Sequence, residues 1–212
     1  MIFYFIVTTS RTGSSLLVEY LQSLKKFGFP DENIRRYYQE YKMPLADAVN
    51  KIYDETNTNN IAGDKTLIRL VSNYLENPSK RPYDYKYIFW KRRDILAQSI
   101  SNYRASESGL WHIRNNEKKQ NPKIIFDKNK ILEFKKIIDT QNNFAEEMFN
   151  KYKIKPLRLY YEDLISNQNE VIKNISDYIG VPFDENSKPQ STLCVTRDDL
   201  TEEWLNEMRK NN

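Results

Sequence analysis

The chain of 212 residues is long enough for one sizeable domain, and its 33 basic and 29 acidic side chains leave a net charge of +4. Its apolar fraction of 39% can bury a core, which excludes wholesale disorder, and no apolar run approaches the roughly 18–20 residues of a membrane span. The weak positive charge suits a phosphate-bearing ligand and argues against nucleic acid as a partner.

The sequence contains one cysteine, Cys194, and one histidine, His112. A lone cysteine rules out an internal disulfide framework, which is typical of a reducing compartment, so we expect a cytoplasmic protein. A lone histidine excludes a His-rich zinc site, and we expect no metal centre. The apolar start of the chain at residues 2–8 has no basic leader, which is typical of a strand rather than a signal peptide.

Apolar runs and helical periodicity alternate along the chain. Strands are predicted at residues 2–8, 61–67, 85–90 and 157–161. Helices are predicted from Ser14, around Leu96 to Tyr103, over 130–152 and up to Gly180, and loops at 54–60, 76–84 and 114–129. This alternation predicts one α/β domain over residues 1–212. We expect a P-loop-like three-layer sandwich with a central, mostly parallel sheet flanked by helices.

The segment Thr9-Ser10-Arg11-Thr12-Gly13-Ser14-Ser15 joins the first strand to the first helix. Backbone N–H groups at a helix N-terminus attract anions, and here Ser14 and Ser15 add hydroxyl donors while Arg11 adds a planar cation. Ser14 could instead act only as a helix cap, but a cap does not require an arginine in the turn. No lysine follows Gly13 as in G-x-x-x-x-G-K-[ST], which argues against an ordinary ATPase or GTPase.

A second group of cations ends the third predicted strand, at Lys91-Arg92-Arg93-Asp94. Arg93 stands at the entrance of the next helix, and Ser101 lies a little over two turns along it. Both can face one phosphate at the carboxyl edge of the sheet, where ligands of open α/β folds bind. A solvated basic patch with Asp94 as the helix N-cap explains the same residues equally well.

An ordered set of motifs runs through most of the chain: Arg11-Thr12-Gly13-Ser14-Ser15, Gly28-Phe29-Pro30-Asp31-Glu32, Arg92-Arg93-Asp94 with Ser101, Gly109-Leu110-Trp111, Tyr161-Glu162-Asp163-Leu164 and the region of Trp204. This set resembles the sulfotransferases that use 3′-phosphoadenosine 5′-phosphosulfate (PAPS), and especially the bacterial trehalose 2-sulfotransferase family. Many cytosolic sulfotransferases stack a tryptophan on adenine three residues after the loop glycine. That position is Leu16 here, so the adenine partner stays open.

The resemblance implies how the donor is held. The segment from Arg11 through Thr12, Gly13 and Ser14 to Ser15 binds the 5′-phosphosulfate end. Arg93 and Ser101 bind the 3′-phosphate. Arg197, near the C-terminus, helps to close over the nucleotide.

The resemblance also implies the catalytic groups. In-line sulfuryl transfer builds charge on the leaving phosphate oxygen, which Arg11 and the loop N–H groups would stabilise. The acceptor hydroxyl needs a general base, which family position assigns to Glu32, with His112 as the rival. Glu32 could also be an ordinary surface carboxylate. Lys65 is expected to reach the transferred oxygens, and Trp111 and His112 to line the acceptor pocket beside Glu32.

We therefore expect an enzyme that moves the sulfuryl group of PAPS to a hydroxyl of a carbohydrate or another small acceptor and leaves adenosine 3′,5′-bisphosphate. A small-molecule kinase with a diverged phosphate loop and a non-catalytic nucleotide-binding protein are the alternatives. The kinase would need carboxylates placed to hold Mg²⁺, and the sequence offers no clear pair. Monomer and homodimer both stay open.

Overall fold

The structure, a computed structural model, describes residues 1–112, 114, 124–193 and 198–210. Its strands are β1 (Ile2–Thr8), β2 (Ile61–Leu67), β3 (Asp84–Lys91) and β4 (Leu157–Tyr160). Its helices are α1 (Ser14–Ser23), α2 (Asn33–Gln39), α3 (Leu45–Thr56), α4 (Ile68–Glu76), α5 (Ile95–Ser108), α6 (Lys128–Lys151), α7 (Tyr161–Ser166), α8 (Gln168–Ile179) and α9 (Asp199–Lys210).

The strands form one parallel sheet in the order β2-β1-β3-β4. Thr8, at the end of β1, lies between Leu67 of β2 and Trp90 of β3, so the carboxyl ends of the strands meet at one edge. β1 runs between two neighbours and is buried along nearly its whole length, which explains its unbroken apolar sequence. The predicted α/β class, with a parallel sheet flanked by helices, is confirmed.

Helices cover both faces of the sheet, because successive side chains of a strand point to opposite sides. Phe3 and Phe5 of β1 pack against α3, α4 and α6, whereas Tyr4 and Ile6 pack against α1 and α8. A third apolar cluster, around Tyr103, joins α5, α6 and α9. In the described ranges, no helix is both long and apolar enough to cross a bilayer.

Some elements differ from the sequence-based expectation. The last strand ends at Tyr160, one residue early, because Tyr161 already begins α7. Helices α2, α3, α4 and α9 were not predicted. The start of α2 depends on hydrogen bonds from its first N–H groups to Asp64 of β2, a distant segment that a local pattern does not reveal. Most of the predicted loop at 114–129 lies outside the described residues.

Candidate active site

A cavity of about 510 Å³ opens at the carboxyl edge of the sheet. Nearly all of the candidate residues line it: Arg11, Gly13, Ser14, Ser15, Glu32, Lys65, Ser101, Trp111 and His112. Thr12 lies buried beneath the loop, where its carbonyl oxygen accepts a hydrogen bond of 3.0 Å from Nε1 of Trp90. Arg197 lies outside the described residues.

The turn between β1 and α1 passes through two left-handed residues, Arg11 with φ 61° and Gly13 with φ 74°. A Cβ atom on Gly13 would lie 2.3 Å from the ring of Tyr161, so any other residue there would clash as well as be strained. Helix α1 begins directly after this glycine. Ser14 and Ser15 therefore bring the first-turn N–H groups of α1, which lack helical acceptors, to the cavity wall.

Two amides on α5 hold this loop in place. The side chain of Gln98, fully buried, donates through Nε2 to Thr9 Oγ1 at 2.8 Å and to the Ser10 carbonyl at 2.7 Å. Asn102, one turn further along α5, donates through Nδ2 to Ser10 Oγ at 3.0 Å. Neither residue has a role predicted from the sequence, and their one signal is a pair of amides four residues apart, on one face of a helix.

The guanidinium of Arg11 points along the cavity towards α5 and the segment after it. Its Nε donates to Ser101 Oγ at 3.0 Å, and its NH1 donates to the carbonyl oxygen of Trp111. Burial, together with Arg92 and Arg104, lowers the pKa of Arg11 to about 10, so the side chain stays charged at neutral pH. The loop thus presents a fixed cation next to the start of α1.

The cations that end β3 point in different directions. Arg93 makes a bidentate pair with Asp163, at 2.6 and 2.8 Å, and lies 4.2 Å from the ring centroid of Tyr160. Arg92 instead contributes to the cavity lining, with its guanidinium 5.0 Å from the ring centroid of Tyr161 and its side chain only 11% exposed. The structure therefore brings Ser101 into one cavity with Arg92, and it does not bring the guanidinium of Arg93 there.

The helix cap proposed for Asp94 is present beside these cations. Its carboxylate accepts a hydrogen bond of 2.9 Å from the backbone N–H of Ala97, in the first turn of α5. Asp94 therefore acts as the helix N-cap, and Arg93 forms an ion pair with Asp163. Arg92 remains as the cation of this group at the cavity wall.

Glu32 and Lys65 form an ion pair on the side of the cavity opposite α5. Glu32 Oε1 lies 2.6 Å from Lys65 Nζ, and its Oε2 lies 3.1 Å from Arg35 NH1. Partial burial raises the pKa of Glu32, but the two cations outweigh burial and leave the pKa below its usual value. Lys65 Nζ also donates to Ser15 Oγ at 2.9 Å, so this nearly buried lysine links the carboxylate to the loop.

Trp111 and His112 close the cavity from the segment that follows α5. Burial lowers the pKa of His112, and the nearby charges of Lys65 and Arg11 lower it further against the opposing effect of Glu32. The imidazole is therefore neutral at physiological pH. Trp111 is 45% exposed and lines the cavity, so it presents an aromatic side chain at the cavity mouth.

Known proteins resemble the chain in sequence family and in fold. A family model described as "Stf0 sulphotransferase" matches residues 81–211, more than half of the chain. A crystal structure of a sulfotransferase from Alicyclobacillus acidocaldarius is similar at 12% sequence identity and a TM-score of 0.51, over 100% of this chain and 92% of that one. At that identity the likeness concerns the fold alone. No curated protein sequence matches the chain.

Proposed function

Because the chain belongs to the Stf0 sulphotransferase family, we propose that it transfers the sulfuryl group of PAPS to a hydroxyl of a small acceptor, such as a carbohydrate. One observation carries this proposal. A cationic phosphate loop and an ionised carboxylate line the same cavity, and Lys65 contacts both. Sulfuryl transfer requires a cationic anion site for the donor and a base for the acceptor, held close together.

Arg11, Ser14 and Ser15 bind the 5′-phosphosulfate end of the donor. The support is a charged guanidinium, two hydroxyls and the N-terminus of α1 on one wall of the cavity. Negative charge grows on the phosphate oxygen as the sulfuryl group departs, and Arg11 stabilises that charge. Gln98 and Asn102 keep the loop in position before the donor binds.

Ser101 and Arg92 bind the 3′-phosphate. This assignment replaces Arg93 with its neighbour, because Arg92 lines the cavity whereas Arg93 does not and pairs with Asp163 instead. Arg92 has a largely buried side chain at the cavity wall, where its Nε lies 3.8 Å from Oε1 of Glu162 and a phosphate can compete with that carboxylate. Arg197 keeps its expected role in closing over the nucleotide.

Glu32 is the general base. Its carboxylate accepts the proton of the acceptor hydroxyl while the acceptor oxygen bonds to sulfur and the bond from sulfur to the 5′-phosphate oxygen breaks. Lys65 neutralises charge on the transferred oxygens from its position between Ser15 and Glu32. A sulfate ester and adenosine 3′,5′-bisphosphate are the products.

The acceptor lies against Trp111, His112 and Glu32. An exposed indole face suits the apolar face of a sugar ring, and the neutral imidazole can donate or accept a hydrogen bond. Arg35 and Gln39 of α2 line the same end of the cavity and add polar groups. This combination of one aromatic surface and several polar side chains supports a polyhydroxyl acceptor.

Titration with adenosine 3′,5′-bisphosphate, with and without Mg²⁺, tests the donor assignment. We expect saturable binding that does not depend on Mg²⁺ and that weakens when the 3′-phosphate is removed from the ligand. Binding of ATP that requires Mg²⁺ would favour the kinase alternative. Binding of the bisphosphate without transfer to any acceptor would favour a non-catalytic nucleotide-binding protein.

A further inference from the structure

Asp64 is a fully buried carboxylate in β2 to which the proposed reaction assigns no role. Its Oδ1 accepts the backbone N–H of Asn33 at 2.9 Å, and its Oδ2 accepts the backbone N–H of Ile34 at 3.1 Å. These N–H groups belong to the first turn of α2, where no helical acceptor is available. Each carboxyl oxygen of Asp64 thus accepts one backbone N–H group at the start of α2.

The contact is unusual because a helix is ordinarily capped by its own N-cap residue. The N-cap residue of α2 is Glu32, whose carboxylate instead contacts Lys65 and Arg35. Asp64 does the capping from the neighbouring strand. Glu32 is thereby free to turn its carboxylate into the cavity without leaving the start of α2 unsatisfied.

The next residue of β2 completes the arrangement. The backbone N–H of Lys65 donates to the carbonyl oxygen of Asp31 at 2.9 Å, and its side chain pairs with the Glu32 carboxylate. Three backbone groups of residues 31–34 therefore bond to β2. The Asp31 carbonyl, before Glu32, bonds to the Lys65 backbone, and the N–H groups of Asn33 and Ile34, after Glu32, bond to the Asp64 side chain. Their common anchor is the central part of β2, a strand that is buried along nearly its whole length.

We propose that Asp64 is a positioning residue, which holds the backbone at Glu32 so that the carboxylate faces the acceptor hydroxyl. The proposal rests on the role of Glu32 as the base. A displacement of about 1 Å at a reacting group can cost on the order of 100-fold in rate. A group that fixes the backbone on which the base is carried therefore affects turnover without touching the donor or the acceptor.

The substitution Asp64→Asn tests this proposal. An amide has one acceptor oxygen and one NH2 group, so it satisfies one backbone N–H and repels the other. We expect kcat to fall roughly 10- to 100-fold, while KM for the donor and the affinity for adenosine 3′,5′-bisphosphate stay unchanged. Asp54→Asn is the matched control, because Asp54 pairs with Arg81 away from the cavity. We expect this substitution to leave kcat unchanged.

A double substitution separates positioning from general weakening of the fold. In the Glu32→Gln background the base is absent, so adding Asp64→Asn produces no further fall in kcat. Equal falls in both backgrounds, or normal kcat in Asp64→Asn, would overturn the proposal. If Asp64→Asn does not yield folded protein that binds the bisphosphate, the same comparison is made with Asp64→Glu, which keeps the carboxyl group and displaces it by one methylene.

The same data distinguish this proposal from the proposed function. Normal turnover in Glu32→Gln would remove the base assignment on which Asp64 depends. A low kcat in Glu32→Gln together with normal kcat in the Asp64 variant would remove the role of Asp64 alone.

Discussion

Arg11 is the residue whose charge the proposed chemistry needs most, because the proposal assigns it to stabilise the negative charge that grows on the leaving phosphate oxygen. Arg11→Ala should lower kcat roughly 100- to 1,000-fold, the range found when one transition-state donor is removed, and leave the fold intact in circular dichroism. Arg158→Ala, which removes a surface pair with Glu146, is the matched control. Unchanged kcat in Arg11→Ala would remove the loop from the catalytic account.

The pH dependence of kcat/KM distinguishes the two candidate bases. Each base must be deprotonated to act, so the rate falls as pH falls through its pKa. The cations around Glu32 hold its pKa below the usual value of about 4.3. With Glu32 as the base we therefore expect the rate to stay constant from neutral pH down to the usual carboxylate range. With His112 as the base the rate would fall at a higher pH, at the pKa of an imidazole that lies below its usual value of about 6.5.

The neighbouring arginines Arg92 and Arg93 give a prediction about the 3′-phosphate. Loss of a charge-assisted hydrogen bond costs about 1.5–3 kcal/mol, so Arg92→Ala should weaken adenosine 3′,5′-bisphosphate roughly 10- to 100-fold. Its effect on adenosine 5′-phosphate should be much smaller. Arg93→Ala should leave both affinities nearly unchanged, since its partner is Asp163. The opposite ranking in a calorimetric titration would assign the 3′-phosphate to Arg93 instead.

At the scale of secondary structure, the site depends on how the β1–α1 loop is fastened to α5. Gln98→Ala leaves Thr9 and Ser10 without a buried donor, which costs about 1–3 kcal/mol of stability and loosens the loop. We expect a lower melting temperature together with weaker bisphosphate binding. Gln168→Ala, which removes an amide from α8, should change neither. A lower melting temperature with unchanged binding would mean that Gln98 only stabilises the fold.

The elements that could be predicted are those whose signal is local. The unbroken apolar run of β1 indicates a buried strand. The glycine turn that follows it indicates the start of α1, and Gly13 there has a positive φ. Helix α2 lacks such a signal, because its cap comes from Asp64 in β2. The sequence also does not reveal the directions of the Arg92 and Arg93 side chains, since Arg93 pairs with Asp163 and Arg92 lies against Tyr161, both on a distant segment.

At the scale of the whole molecule, the parallel sheet brings segments far apart in sequence to one edge. The β1–α1 loop follows β1, Lys65 lies in β2, and Arg92 and α5 follow β3. Ligands of open α/β sheets bind at this edge because strand ends and helix N-termini meet there. The resemblance noted in the sequence agrees with the family to which the chain belongs and with the fold of its structural neighbour.

Transfer of an isotopically labelled sulfuryl group from PAPS to a panel of hydroxyl acceptors, without added metal, is the most direct measurement. Sugars, polyols and simple alcohols form the panel, and the Glu32→Gln variant is measured beside the unaltered chain. We predict that the label moves to at least one polyhydroxyl acceptor and that the variant transfers it far more slowly. Tight binding of adenosine 3′,5′-bisphosphate with no labelled product from any acceptor would contradict sulfuryl transfer.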